Sequence, residues 1–227
     1  MITDDRRVRI ITGHFGSGKT EFAVNYIRKL AKLVKRPAIA DLDIVNPYFR
    51  SRQRAEVLEN EGIEVISSSI TTDNSDMPAL SQKIMVPFLN KEYDYVVDLG
   101  GSDDGTIVLG RLKEYIDPKE TDFFMVVNVF RPGTGTVEEI LNQKDILEKS
   151  SGLKVTAFIN NSNLIHETRN EDILYGNEIL EEASKISGVP IKYTAVMDSE
   201  GLDINKIDLN TKGSLFEMHY NMRTMWM

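Results

Sequence analysis

The chain has 227 residues and a formal net charge of −8, with 41% hydrophobic and 27% charged side chains and no cysteine. That acidic balance argues against a broad nucleic-acid surface, which needs clustered positive charge to displace phosphate counterions. Without cysteine, thiolate-held zinc, iron–sulfur clusters, a nucleophilic thiol and disulfides are excluded.

From the N-terminus, Met1-Ile2-Thr3-Asp4-Asp5-Arg6-Arg7 lacks the apolar stretch of a secretory leader, and no apolar run has the length of a bilayer span. A cytoplasmic protein is expected. Short β-branched runs then alternate with segments of helical period, the pattern of βαβ units. It predicts an α/β fold, a doubly wound and mainly parallel sheet with helices on both faces, as one domain over residues 1–227. Predicted strands cover residues 8–12, 37–41, 63–67, 95–98, 123–128, 155–160 and 191–195. Predicted helices cover residues 19–34, 78–89, 106–115, 136–149 and 171–187. Tyr95-Val96-Val97 and Val126-Val127 offer apolar side chains to both faces, as strands covered by helices on each side require.

The first strand runs straight into Gly13-His14-Phe15-Gly16-Ser17-Gly18-Lys19-Thr20, then Glu21 and a helix. This is GxxxxGK[ST] between a strand and a helix, the setting in which it makes a phosphate-binding loop. Glycines let the backbone curl into a nest of N–H groups, and the helix N-terminus adds partial positive charge there. Residues 13–21 are therefore expected to hold ATP, with Lys19 reaching the β- and γ-phosphates and the Thr20 hydroxyl reaching Mg²⁺. Further along, Val96-Val97-Asp98 leads Asp98 out of a predicted strand as a metal carboxylate. Lys19, Asp41, Asp43 and Asp98 should converge at the carboxyl ends of the strands, where open α/β sheets bind ligands.

Taken together, residues 13–20, Ala40-Asp41-Leu42-Asp43-Ile44 and Asp98-Leu99-Gly100-Gly101 resemble the MinD/ParA/CobQ group of P-loop ATPases, in the SIMIBI class with the nitrogenase iron protein and Mrp-like proteins. The resemblance covers roughly residues 8–195 and is most specific at the phosphate loop and the D-x-D segment. It implies that Asp43 positions the lytic water, that Asp41 supports the magnesium shell, and that Asn160 or Asn161 bonds the adenine edge. A guanine-reading N-K-x-D is absent from that strand end. Asn142-Gln143-Lys144-Asp145 has the wrong order and falls in a predicted helix, so ATP is expected over GTP. One residue departs from the group: many members carry a lysine after the first glycine, reaching across a nucleotide-sandwich dimer, and this chain has His14. Arg50 and Arg131 are the cations considered in its place.

The resemblance implies an Mg-dependent ATPase acting as a regulatory or assembly switch on a protein partner or as a homodimer. The alternative is an ATP-dependent ligase or amidating enzyme of the dethiobiotin synthetase/CobQ type. Three lesser features are read as structural. Arg28, Lys32, Lys35 and Arg36 form a solvated helix face, and His14, His166 and His219 lack metal-site spacing. The Met- and aromatic-rich stretch at residues 215–227 is expected to pack on the domain or a partner. Its few cations argue against membrane binding, for which it is nevertheless the one candidate segment.

Overall fold

β-branched and aromatic runs build eight strands: β1 (Val8–Gly13), β2 (Pro37–Asp41), β3 (Glu64–Ser67), β4 (Asp94–Asp98), β5 (Thr121–Val127), β6 (Ala157–Asn160), β7 (Ile191–Met197) and β8 (Ser214–Met218). Between them run α1 (Lys19–Ala31), α2 (Arg52–Asn60), α3 (Gln82–Leu89), α4 (Asp103–Leu112), α5 (Val137–Ser151) and α6 (Asn170–Ser187). This computed structural model describes residues 2–42, 52–67, 82–101, 103–198, 202, 207 and 213–221.

The strands form one sheet in the order β3-β2-β4-β1-β5-β6-β7-β8, and every neighbouring pair is parallel. Alternation along each strand feeds two cores. In β1, Ile10 belongs to the layer closed by Ile84 and Phe88 of α3, Leu109 of α4, Ile140 of α5 and Leu180 of α6. Its neighbour Ile11 belongs to the opposite layer, closed by Phe22, Tyr26, Ile27 and Leu30 of α1 and by Leu58 of α2. Both faces are thus covered, and all of β1, β2 and β5 is buried.

Two elements were not expected. Helix α2 has Leu58 as its buried anchor while the adjacent Val57 is about half exposed, so its amphipathic signal is thin. Strand β8 arises from the Met- and aromatic-rich C-terminal stretch and lies beside β7, from Tyr193↔Ser214 to Met197↔Met218. Phe216 and Met218 alternate into the α1 layer, and Phe216 meets Phe22 with ring centroids 4.9 Å apart. Just past β8, Asn25 of α1 takes both backbone groups of His219: its Nδ2 donates to the carbonyl at 3.0 Å, and its Oδ1 accepts from the N–H at 2.8 Å. That part of the C-terminal stretch packs on the domain; residues 222–227 lie outside the described residues. No helix among the described residues is long and apolar enough to cross a membrane.

Boundaries shift for local reasons. Helix α4 begins at Asp103 and not at Thr106, and residues 113–115 of the expected helix form a 3-10 turn. At the amino end of the sheet, opposite the carboxyl ends, buried Asp5 accepts from Tyr26 and Tyr193 hydroxyls at 2.5 and 2.7 Å and pairs with Lys192 at 2.5 Å. Burial pushes both phenols well above their ordinary range, so they remain donors.

Candidate functional site

Strand order sets the place. β1 stands between β4 and β5, and the chain leaves it toward β2 and β3 on one side and later toward β5, β6, β7 and β8 on the other. Such a reversal opens a crevice beyond the carboxyl ends of the strands. Gly13 ends β1 at that edge, and the chain turns at once: Ser17 N–H donates to the His14 carbonyl at 3.0 Å. Gly18 adopts φ +84°, which only glycine takes readily, and starts α1 without any side-chain cap. The first N–H groups of a thirteen-residue helix thus face the crevice uncapped, with Lys19, 7% exposed, as its first residue.

The loop is gripped from both sides. On the β4 side, a Cβ on Gly101 would stand 1.9 Å from the Gly13 carbonyl oxygen, so bare backbone presses on bare backbone. On the β6 side, Asn161 donates its Nδ2 to the Ser17 carbonyl at 2.7 Å, where a Cβ on Gly18 would be 2.3 Å from that nitrogen. Because a carbonyl only accepts, this bond fixes the amide's orientation, and Oδ1 has no partner among the described residues.

The β6 turn is itself braced. Asn160 is fully buried, with Nδ2 on the Ile173 carbonyl at 3.1 Å and Oδ1 on Ser162 N–H at 3.0 Å. Both ends of this side chain are committed to the turn and to α6. Of the expected pair, Asn160 is engaged through both ends of its amide and Asn161 through Nδ2 alone. Ser162 Oγ accepts from Val129 N–H at 3.2 Å, and Asn128 bridges to Asn163 through both halves of its amide. These bonds clamp the β5 loop to the β6 loop. Asn128, Ser162 and Asn163 escaped the sequence reading because their roles depend on two loops meeting across 30 or more residues; a polar cluster behind two strand ends was the available signal.

Across the sheet edge, Asp41 is the register partner of Asp98, and the Leu42 N–H donates to the Asp98 carbonyl at 2.8 Å. Asp98 is in turn the partner of Ile11 in β1. Two buried carboxylate residues, Asp41 and Asp98, thus sit side by side at strand ends next to the phosphate loop. Thr20, on the first turn of α1, is half-buried. This set suits a magnesium ion, which usually takes one or two carboxylates and completes its shell with phosphates and water. Asp43 and Arg50 lie outside the described residues. No group of three or more acidic or His ligands occurs among the described residues.

The loop's remaining expected residues divide. Ser17 Oγ is buried with no hydrogen-bond partner among the described residues. His14 is half-buried and turns toward the β5 loop, where a Cβ on Gly133 (φ +83°) would lie 3.2 Å from Nε2. Phe15 is 75% exposed at the loop's outer side. Glu21, expected among the nucleotide contacts, accepts at Oε1 from Asn221 N–H at 2.6 Å.

Solved structures share this architecture. The chain is similar to chloroplast FtsY from Physcomitrella patens, at 15% identity and TM-score 0.54 over 82% of this chain and 57% of that one. FtsY from Thermotoga maritima gives 18% identity and TM-score 0.55 over 83% and 61%. A nucleotide-binding protein from Archaeoglobus fulgidus, in complex with ADP, gives 18% and 0.51 over 90% and 86%. What these structures share with the chain is the fold, an all-parallel sheet covered by helices on both faces. At these identities the likeness is one of fold, and the chain spans less than two thirds of either FtsY. No protein-family model matches the chain, and no curated protein sequence matches it.

Proposed function

We propose that the chain binds Mg-ATP in the residue 13–20 loop and hydrolyses it, the nucleotide state switching its contact with a protein partner or a second copy. The observation that carries this reading is the gripped loop itself: a glycine nest fixed between Gly101 and Asn161, ahead of an uncapped helix N-terminus with a buried lysine. Such a concavity is a triphosphate's counterpart. Lys19 and the loop amides hold the phosphate chain. Thr20 and Asp98 would hold the magnesium, with Asp41 behind them; the ion supplies charge neutralisation of the phosphates when bound. Asp43 is assigned, from the MinD/ParA resemblance, to orient the attacking water.

Asn161 supports adenine over guanine. Its oriented Oδ1 is an acceptor, which an adenine 6-amino group satisfies and a guanine 6-oxo group repels. The MinD/ParA-like switch role rests on the D-x-D resemblance and the lack of a second substrate motif.

Purified chain should release phosphate from ATP with Mg²⁺, and ATP should bind at least about tenfold more tightly than GTP, the value of one well-placed base contact. Asp43→Ala should keep ATP affinity within about threefold while turnover falls by on the order of a hundredfold. Equal ATP and GTP affinity would remove the role of Asn161, and unchanged turnover in Asp43→Ala would remove that of Asp43. Turnover stimulated by a carboxylic acid and not by a protein would favour the ligase alternative over the switch.

A further inference from the structure

Arg131 lies on the β5 loop against Gly16 of the phosphate loop. Its Cδ and Nε are each 3.7 Å from where a Cβ on Gly16 would stand, ordinary van der Waals contact. Its Nε is buried and has no hydrogen-bond partner among the described residues. No carboxylate pairs with it among the described residues either, although the chain carries 35 acidic side chains against 27 basic ones. A guanidinium beside a ring of amide N–H groups, its buried Nε without an acceptor among the described residues, is suited to an anion.

The loop that presents Arg131 is firmly set. Arg131 N–H donates to the Asn128 carbonyl at 3.1 Å, and Thr134 Oγ1 donates to the same oxygen at 2.9 Å. Gly133 reverses the chain at positive φ against His14, and a capping box of Thr136 and Glu139 fixes the start of α5. Asn128 and Val129 are tied to the β6 loop that also holds the phosphate loop. The position of Arg131 is therefore built by the same bonds that build the site.

We propose that Arg131 contacts the terminal phosphates of the bound nucleotide from the same chain, supplying the cation that position 14 does not. This rests on the Mg-ATP reading above. His14, turned toward Gly133, completes the wall beside it, and no second copy is needed to deliver the charge.

The test is Mg-ATP binding by titration calorimetry to the full chain and to Arg131→Met and Arg131→Lys, with melting of each without nucleotide. Met keeps the stem that packs on Gly16 and removes the charge; Lys keeps a charge and loses the fork. Arg131→Met should weaken Mg-ATP about tenfold or more with unchanged melting, and Arg131→Lys should fall between it and the wild type. Arg131→Met within about threefold of wild type would overturn the inference, leaving Arg131 as packing. The same holds if both variants weaken binding equally and melt earlier. A wild-type chain that binds no Mg-ATP would instead overturn the reading beneath it, and this inference with it.

Discussion

Lys19→Ala is expected to weaken Mg-ATP binding by on the order of a hundredfold or more while leaving the unliganded fold intact. The ammonium is buried at the first residue of α1, immediately after the left-handed Gly18, where the helix end and the glycine nest already concentrate positive potential. A melting curve of the nucleotide-free variant checks that the fold is intact. Charge-assisted hydrogen bonds to an anion contribute roughly 1.5–3 kcal/mol each, and one lysine can make two. A fluorescent-nucleotide titration reads the loss. An affinity within about threefold of wild type would mean that Lys19 does not face the phosphates.

Gly101→Ala should be nearly as damaging to binding, for a purely steric reason. The added methyl would stand 1.9 Å from the Gly13 carbonyl oxygen and 2.7 Å from its carbon, both backbone atoms with no rotamer to adopt. The phosphate loop must move away, and relief of such overpacking typically costs about 1–3 kcal/mol of stability. Because the displaced atom is the first residue of the nest, Mg-ATP affinity should fall about tenfold or more. Gly110→Ala is the matched control: in α4 nothing lies within 4 Å of the new Cβ, and the change should stabilise by roughly 0.5–1 kcal/mol. Denaturation midpoints and nucleotide titrations on both variants check the pair. Normal binding by Gly101→Ala would show that the loop is not held by that contact.

Much of this was legible from local signals. The motif at residues 13–20 combines composition, spacing and strand–helix context, and β1, β2, β4 and β7 are apolar runs whose ends are marked by Gly, Pro or Asp. The adjacency of Asp41 and Asp98 also followed from the rule that strand ends converge, and the register pairs them directly. What the sequence hid were contacts between loops. Asn160 and Asn161 look interchangeable as neighbours, yet one donates to the Ile173 carbonyl of α6 and the other to the Ser17 carbonyl. Gly101 reads as an ordinary glycine after a strand until Gly13 is brought against it. Strand β8 carries a period-two signal in Phe216 and Met218, but two apolar positions do not tell a sheet edge from other packing on the domain or a partner.

A triphosphate is expected to fit the loop between Gly101 and Asn161. Isothermal titration of the full chain with Mg-ATP tests it most directly. The expected result is one site per chain with a dissociation constant well below millimolar, together with a higher melting temperature when the nucleotide is present. Absence of both heat and thermal protection at millimolar Mg-ATP would contradict it.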